Sequence, residues 1–216
     1  MPPPPALPRL VRPPSPTSLA RIVQEKYTTI PDEPIAHIHG DAPEHVKAVM
    51  SKPLWFYEFA GPPENRFGYS IGSRFITREV SFMPVQNQTR PPEGPRRNVR
   101  IVWELDVKED MLNYMGTVHG GCISYLMDGC TSLVLVAHAM MTGGKPIARV
   151  SQQMSVTLHA PVPQDTMLRL VAYTTSVGKT TAFAVCEVWN ARTDTLAATG
   201  SQIMVRASEP SPKTKL

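Results

Sequence analysis

Residues 113–128 read Asn-Tyr-Met-Gly-Thr-Val-His-Gly-Gly-Cys-Ile-Ser-Tyr-Leu-Met-Asp, and this stretch decides how the chain folds. It joins a polar, glycine-rich loop to an apolar segment that continues to residue 141. One carboxylate, Asp128, interrupts the apolar segment. Because burying an unpaired charge costs free energy, we expect Asp128 either to have a partner or to take part in chemistry.

The composition indicates one globular domain with extensions, since 216 residues with 42% hydrophobic content can bury a sizeable core. The formal charge of +4 slightly favours an anionic ligand, and the absence of a long basic run argues against nucleic-acid binding. The three cysteines lack metal-ligand spacing, so we expect buried thiols in a reducing compartment, no metal site and no cofactor. Polar residues such as Asp128 and His138 interrupt the apolar run, which favours a core helix over a membrane span.

Residues 1–42 are rich in proline and poor in acidic residues. Proline removes a backbone donor and fixes φ, so we predict a disordered or extended leader. Arginines with few acids are also typical of a mitochondrial transit peptide, although so many prolines would spoil its amphipathic helix. Localisation therefore stays open between cytoplasmic and mitochondrial. A second disordered tail is predicted at 208–216, which leaves 43–207 as the domain, with its core at 75–207.

Short runs of β-branched and aromatic residues predict six strands in addition to the apolar helix. The predicted strands cover residues 75–85, 98–107, 147–159, 166–176, 181–190 and 196–205. A short helix is expected at 43–50 and a long exposed loop at 86–97. Three hairpin-like links at the end of the chain favour an antiparallel sheet. A helix that is apolar nearly all round must be buried, so we predict an α+β domain with an antiparallel sheet wrapped around one long central helix.

The glycine-rich motif also carries a family resemblance. Asn113 and Gly116 precede the run His119-Gly120-Gly121, and Asp128 follows the histidine by nine residues. This arrangement resembles the hotdog-fold acyl-CoA thioesterases of the PaaI type, with a closer likeness to the subgroup that contains thioesterase superfamily member 2.

The likeness extends downstream and covers residues 75–207. Ser151 precedes Pro161 by ten residues, and Gly178-Lys179-Thr180 resembles the hairpin turn of that subgroup. The resemblance implies a hotdog fold. It also implies hydrolysis of a fatty-acyl or aryl-acyl CoA thioester to the free acid and CoA.

The resemblance implies roles for individual residues as well. The backbone amide of Gly120, at the positive end of the helix, would stabilise the oxyanion that forms on the thioester carbonyl. Asp128 would act as nucleophile or as general base for water. The alternative for Asp128 is a carboxylate bonded to Ser124 or Thr131, at helical spacings of four and three residues.

Three further residues have both functional and structural interpretations. Asn113 would help bind the thioester, or it is a turn residue that bonds its own backbone. His119 would orient the loop or the substrate, or it caps or packs the helix. Ser151 resembles the family residue that positions water, and its alternative is an ordinary strand hydroxyl. A nucleophilic pair of Cys122 and His119 is a weaker interpretation, since cysteine in an apolar helix usually belongs to the core.

If Gly120 and Asp128 act on the same thioester, as the resemblance implies, their spacing predicts an oligomer. Eight residues of helix separate them, which is about 12 Å along the axis. One helix cannot easily bring both groups to the same carbonyl, whereas antiparallel helices from two chains can. We therefore expect a homodimer or a dimer of dimers with a composite site.

The acyl-CoA partner needs contacts for its phosphates. Lys179 and Arg149 are candidates, together with the turn residues Gly178 and Thr180, although a solvated turn lysine is nearly as plausible an interpretation.

Two other classes of function compete with the thioesterase. A non-catalytic hotdog module could bind acyl ligands, but it would not need a carboxylate inside the helix. A hotdog dehydratase would use a histidine and an acidic residue as acid and base acting on the acyl chain. The spacing of Asn113 and Asp128 fits the thioesterases better.

Overall fold

The computed structural model describes residues 34–52, 67–83 and 97–207. Within these ranges the helices are α1 (Glu44–Ser51), α2 (Tyr69–Gly72) and α3 (Gly120–Met141), with a 3-10 turn at Glu109–Met111. The strands are β1 (Ile76–Phe82), β2 (Val99–Asp106), β3 (Arg149–Leu158), β4 (Met167–Val177), β5 (Thr181–Asn190) and β6 (Thr195–Arg206). These bounds lie within a few residues of the predicted elements. The predicted tail at 208–216 and nearly all of the predicted loop at 86–97 lie outside the described residues.

All strand pairs are antiparallel, and the strand order is β1-β2-β4-β5-β6-β3. The prediction of three hairpin-like links is therefore wrong for the first link, because β3 pairs with β6 and not with β4. The connection after β3 contains Pro161 and Pro163, which lack the N–H that a hairpin ladder needs. The Val118 amide donates to the Val162 carbonyl at 2.8 Å and so holds this connection beside the start of α3. As a result β3 lies at the edge of the sheet.

Helix α3 packs against one face of the sheet, which confirms the α+β prediction. Its buried residues are Ile123, Leu126, Met127, Cys130, Thr131, Val134, Leu135 and Ala137. All of these except Thr131 join one hydrophobic core cluster with residues of β2, β4 and β5 such as Trp103, Leu170 and Cys186. Burial of this apolar surface stabilises the domain by about 25 cal/mol per Å². Gly200 of β6 leaves room for the helix, since a Cβ atom there would lie 2.5 Å from Met127 Sδ.

By length and composition alone, α3 could also cross a membrane, a test that the core helix of a soluble protein passes equally well. In the fold its buried side chains pack on the sheet. Its other side is only half-buried and carries Gly120, Ser124, Asp128 and Ser132 at intervals of four residues. The helix is thus apolar toward the sheet and small or polar toward its open side.

The segment before α1 corrects the predicted boundary of the leader. Residues 34–42 lie within the predicted disordered leader, yet Ile38 and Ala42 are buried. The His39 amide donates to the Arg78 carbonyl of β1 at 2.8 Å, so this segment packs along the sheet. Apolar residues at positions 35, 38 and 42 explain the packing, which the prolines of the leader obscured. Residues 1–33 lie outside the described residues.

Two local features of the helices differ from the sequence prediction. Pro43 is the N-cap of α1 and not its first helical residue. The short helix α2 was not predicted. It begins after Gly68, whose φ of 71° suits glycine, and the Tyr125 hydroxyl of α3 donates to the Gly68 carbonyl at 3.0 Å. A long-range contact therefore stabilises a helix too short to leave a periodic pattern.

Candidate active site

The loop before α3 is organised by the Asn113 side chain. Its Oδ1 accepts hydrogen bonds from the amides of Met115 (2.9 Å) and Thr117 (3.3 Å), and its Nδ2 donates to Thr117 Oγ1 at 3.0 Å. Gly116 completes the turn with a φ of 75°. Asn113 therefore has the turn geometry that one of its two interpretations predicts. Its effect on the site is indirect, because the side chain fixes the path of the backbone that leads into α3.

His119 is the N-cap of α3. Its backbone is extended (φ −65°, ψ 135°), and its Nδ1 accepts a hydrogen bond from the Gly121 amide at 2.9 Å. Because Nδ1 accepts, the ring proton of the neutral imidazole is on Nε2. His119 is exposed, so this N–H faces solvent at the mouth of the loop.

Gly120 is the first residue of α3, and its amide cannot bond within the helix. The Gly121 amide is satisfied by His119, and the Ile123 amide donates to the His119 carbonyl at 3.1 Å. Among the described residues, no acceptor contacts the Gly120 amide. The structure therefore places a free N–H donor at the positive end of a 22-residue helix.

The carboxylate of Asp128 lies on the open side of α3 and is half-buried. Ser151 Oγ of β3 donates to its Oδ1 at 3.0 Å. Gln202 Nε2 of β6 also donates to Oδ1, and to Ser151 Oγ at 2.7 Å. Three elements thus meet at one carboxylate oxygen.

This geometry contradicts the alternative in which Asp128 bonds Ser124 or Thr131 through its side chain. Ser124 Oγ donates to the Gly120 carbonyl at 3.0 Å, a bond between neighbouring turns of the helix. Thr131 Oγ1 contacts the backbone carbonyls of Met127 (2.7 Å) and Asp128 (3.2 Å). Helical spacing places these hydroxyls near Asp128, but neither donates to its carboxylate.

Sequence reasoning missed Gln202. The residue is 1% exposed and points from β6 toward α3. A signal was present, because the inward positions of β6 are Ala198, Gly200, Gln202 and Met204, and a buried amide among small and apolar residues needs partners.

Cys122 is a poor candidate for a nucleophile. Burial, with a smaller contribution from the nearby Asp110 carboxylate, raises the pKa of its thiol to about 11. The reactive form of cysteine is the thiolate, so at neutral pH the side chain is inert. The His119 ring accepts the Gly121 amide through Nδ1. The interpretation of Cys122 and His119 as a nucleophilic pair therefore loses its chemical basis.

The four residues predicted to contact CoA phosphates meet at one end of the sheet. The Arg149 guanidinium donates to the carbonyls of Gly178 (2.9 Å) and Thr180 (3.1 Å), which ties the start of β3 to the turn between β4 and β5. Lys179 is exposed in the same turn. Burial, and then the charge of Arg206 on the neighbouring strand, lower the pKa of Arg149. Several positive charges lie close together there, which is an environment that attracts anions.

Within one chain the two halves of the predicted site stay apart. Gly120 and Asp128 lie on one unbroken helix, about 12 Å apart along its axis. Leu158, at one end of β3, lies beside Gly120, with its Cδ1 3.1 Å from where a Cβ atom on Gly120 would be. Ser151, near the other end of β3, contacts Asp128. Each end of β3 thus flanks one half.

Comparison with known proteins shows which family the chain is similar to. Residues 115–197 match the thioesterase superfamily, a range that contains Gly120, Asp128 and Ser151. Acyl-coenzyme A thioesterase 13 of Mus musculus is 30% identical over 101 residues, which are 47% of this chain and 69% of the mouse protein. The Homo sapiens protein of that name is 29% identical over 101 residues, which are again 47% of this chain and 69% of the human protein.

The fold has a counterpart among solved structures. The crystal structure of zebra fish thioesterase superfamily member 2 superposes with a TM-score of 0.51 at 21% sequence identity. The superposition covers 67% of this chain and 89% of the zebra fish chain. At this identity the likeness bears on the fold, and it confirms a six-stranded antiparallel sheet packed on one long helix.

Proposed function

The chain belongs to the thioesterase superfamily, and from this membership we infer that it is a thioester hydrolase that cleaves acyl-CoA to the free acid and CoA. The observation that carries the proposal is the Asp128 carboxylate. It lies on the open side of the core helix and is held by Ser151 and Gln202 through one oxygen. Both of these hydrogen bonds go to Oδ1, whereas in the described residues Oδ2 has no hydrogen-bond partner and is accessible to a water molecule.

The proposed chemistry uses Asp128 as a general base. A water molecule bound against Ser151 Oγ and Asp128 Oδ2 attacks the thioester carbonyl carbon while Oδ2 takes its proton. The Gly120 amide donates to the carbonyl oxygen as it becomes an oxyanion. The carbon–sulfur bond then breaks, and the proton held by Asp128 passes to the departing sulfur. Direct attack by Asp128 is the alternative, in which the acyl group is first transferred to the carboxylate.

Isotope labelling separates the two routes. In a single turnover in H₂¹⁸O, a general base delivers ¹⁸O to the product acid at once. A nucleophilic Asp128 forms a mixed anhydride, and when water attacks its Asp128 carbonyl carbon the first-turnover acid is unlabelled and ¹⁸O stays in the Asp128 carboxylate. ¹⁸O in Asp128 therefore identifies direct attack.

A composite site requires two chains, and β3 supplies the interface in this proposal. Eight of its ten residues are exposed, so neither face of the strand is covered as in an ordinary edge strand. The exposed side chains include the apolar Val150, Met154 and Leu158. An exposed edge with apolar side chains is a template for pairing with a second strand.

Antiparallel pairing of β3 with a second copy of β3 also explains how Gly120 and Asp128, which lie far apart within one chain, can act on the same carbonyl. A two-fold axis between the two copies of Met154 sets Ser151 of one chain opposite Thr157 of the other, next to Leu158. Ser151 contacts Asp128, and Leu158 lies beside Gly120, so the Asp128 of one chain approaches the Gly120 of the second copy. Each dimer would then contain two identical sites.

The surroundings suit an apolar acyl group and an anionic carrier. Leu158 and Met154 expose apolar surface on the strand that flanks the proposed site. Arg149 and Lys179 lie beyond Ser151, where we place the CoA phosphates. An acyl chain along the apolar end of β3 and phosphates at the basic turn would set the thioester between them.

A panel of acyl-CoA substrates of increasing chain length, with an arylacetyl-CoA included, tests the proposal. We expect release of free thiol on at least part of the panel, with turnover in the usual range of roughly 1–10³ s⁻¹ for the best substrate. Saturable binding of acyl-CoA without thiol release on any member would contradict the proposal and favour the binding module.

The interface is tested by Met154→Glu. Two glutamates close to the two-fold axis, roughly 5 Å apart, would repel each other by about 3 kcal/mol at an effective dielectric constant of 20. We expect the variant to become monomeric by analytical ultracentrifugation and to lose at least about tenfold in kcat/KM. Glutamine has the same shape as glutamate without its charge, so the Met154→Gln variant is expected to remain a dimer with near wild-type activity. A fully active monomeric Met154→Glu variant would contradict the composite site.

A further inference from the structure

Gln202 and Thr131 form a buried pair behind the candidate site. Each is 1% exposed. Thr131 Oγ1 donates to Gln202 Oε1, and Gln202 Nε2 donates to Asp128 Oδ1 and Ser151 Oγ. The Gln202 amide on β6 therefore connects Thr131, on the buried side of α3, to the Asp128 carboxylate.

The hydrogens in this network can be assigned one by one. Gln202 Nε2 carries two hydrogens, one for Asp128 Oδ1 and one for Ser151 Oγ. Ser151 Oγ accepts from the amide, so its own hydrogen is free to go to Asp128 Oδ1. The Gln202 carbonyl is buried, and among the described residues only Thr131 donates to it. The Thr131 hydrogen therefore goes to Gln202, ahead of the backbone carbonyls nearby, which already accept helical bonds.

From this count we infer that Thr131 and Gln202 are positioning residues that set which oxygen of Asp128 reacts, an inference that rests on the proposed hydrolysis. Two hydrogens converge on Oδ1, so a proton cannot be added there without breaking the network. Oδ2 is the oxygen that takes the proton from water. Thr131 holds the amide in place, because without its hydroxyl the buried Oε1 has no donor and the amide can shift away from the carboxylate.

Thr131→Val tests the inference with a matched control. Valine has nearly the same shape as threonine and has a methyl group in place of the hydroxyl. We expect kcat to fall about tenfold or more with KM within about twofold, because a hydrogen bond to a charged group is lost from the catalytic step. The acid limb of the pH profile of kcat/KM should move to higher pH, since a hydrogen bond to a carboxylate favours its ionised form. Thr131→Ser keeps the hydroxyl and is expected to behave as wild type in both measurements.

Gln202→Met provides a second variant, which removes the amide at similar volume. It should repeat the fall in kcat and the shift of the acid limb. A merely structural role for the pair would lower the melting temperature without moving the pH profile. Equal kinetics and equal pH profiles for Thr131→Val and Thr131→Ser would overturn the inference.

A spectroscopic measurement keeps the inference testable apart from turnover. The side-chain amide of Gln202 gives two proton resonances in a ¹⁵N–¹H spectrum, one for each hydrogen bond. We expect both to shift in Thr131→Val and to stay near their wild-type positions in Thr131→Ser. If the wild-type protein hydrolyses no thioester, the proposed function fails while this result still decides the orientation of the amide. Unchanged Gln202 resonances in Thr131→Val would contradict the assignment of the hydrogens.

Discussion

Asp128→Asn is expected to lower kcat for acyl-CoA hydrolysis by roughly 10²- to 10⁴-fold, the contribution of a positioned general base. Asparagine has the same shape, and its Oδ1 can still accept from Ser151 and Gln202. Its Nδ2 then occupies the place of Oδ2 and cannot take a proton. The loss should fall on kcat, with little change in KM. Steady-state release of free thiol, followed on the best substrate of the panel, measures the effect.

The folded state provides the control for Asp128→Asn. Because the network at Oδ1 survives, we expect a melting temperature within a few degrees of wild type and an unchanged dimer mass. Turnover within twofold of wild type in such a folded dimer would remove Asp128 from the mechanism.

Gly120→Pro is expected to lower kcat by about 10²- to 10³-fold, the usual cost of losing one oxyanion donor. Proline lacks the N–H that the proposal assigns to the oxyanion. The first helical position accepts proline well. The residue before it, His119, already has the extended backbone that proline requires (ψ 135°). The substitution therefore removes the donor while leaving the helix intact.

Gly120→Ala is the matched control for Gly120→Pro. It adds a Cβ atom at the same place and keeps the N–H. That atom would meet Leu158 Cδ1 at 3.1 Å, which is the flexible end of an exposed side chain and can move aside. We expect the alanine variant to retain most of its activity. If alanine and proline cost the same, crowding by Leu158 explains the loss and the amide has no part in it.

The architecture could be predicted because its signals are local. The apolar run from Gly120 to Met141 is long enough to be read as a core helix, and alternating apolar residues mark strands such as β2. The strand order is not local. β3 pairs with β6, although β4 and β5 lie between them in the chain, and the bond between Val118 and Val162 holds the connection after β3 beside the start of α3. Turn motifs in the sequence do not reveal long-range contacts of this kind.

The contacts of the candidate site were predictable to a similar extent. A charge inside an apolar helix identified Asp128, and the resemblance supplied Ser151, which the structure brings into contact with it. Gln202 comes from a strand 74 residues further along the chain, so its bond to Asp128 leaves no pattern at short range. For Asn113 and His119 the structure adds turn and cap geometry, which spacing alone could not separate from direct contact with substrate.

The most direct test of the account is activity in a mixed dimer of Gly120→Pro and Asp128→Asn chains, purified with two different affinity tags. Each homodimer is expected to be nearly inactive. In the mixed dimer, one site combines the intact Gly120 of the Asp128→Asn chain with the intact Asp128 of the Gly120→Pro chain, and the other site has lost both. The account predicts about half of the wild-type kcat per dimer, from one working site of two. A mixed dimer as inactive as the two homodimers would show that each site lies within one chain and would contradict the composite site.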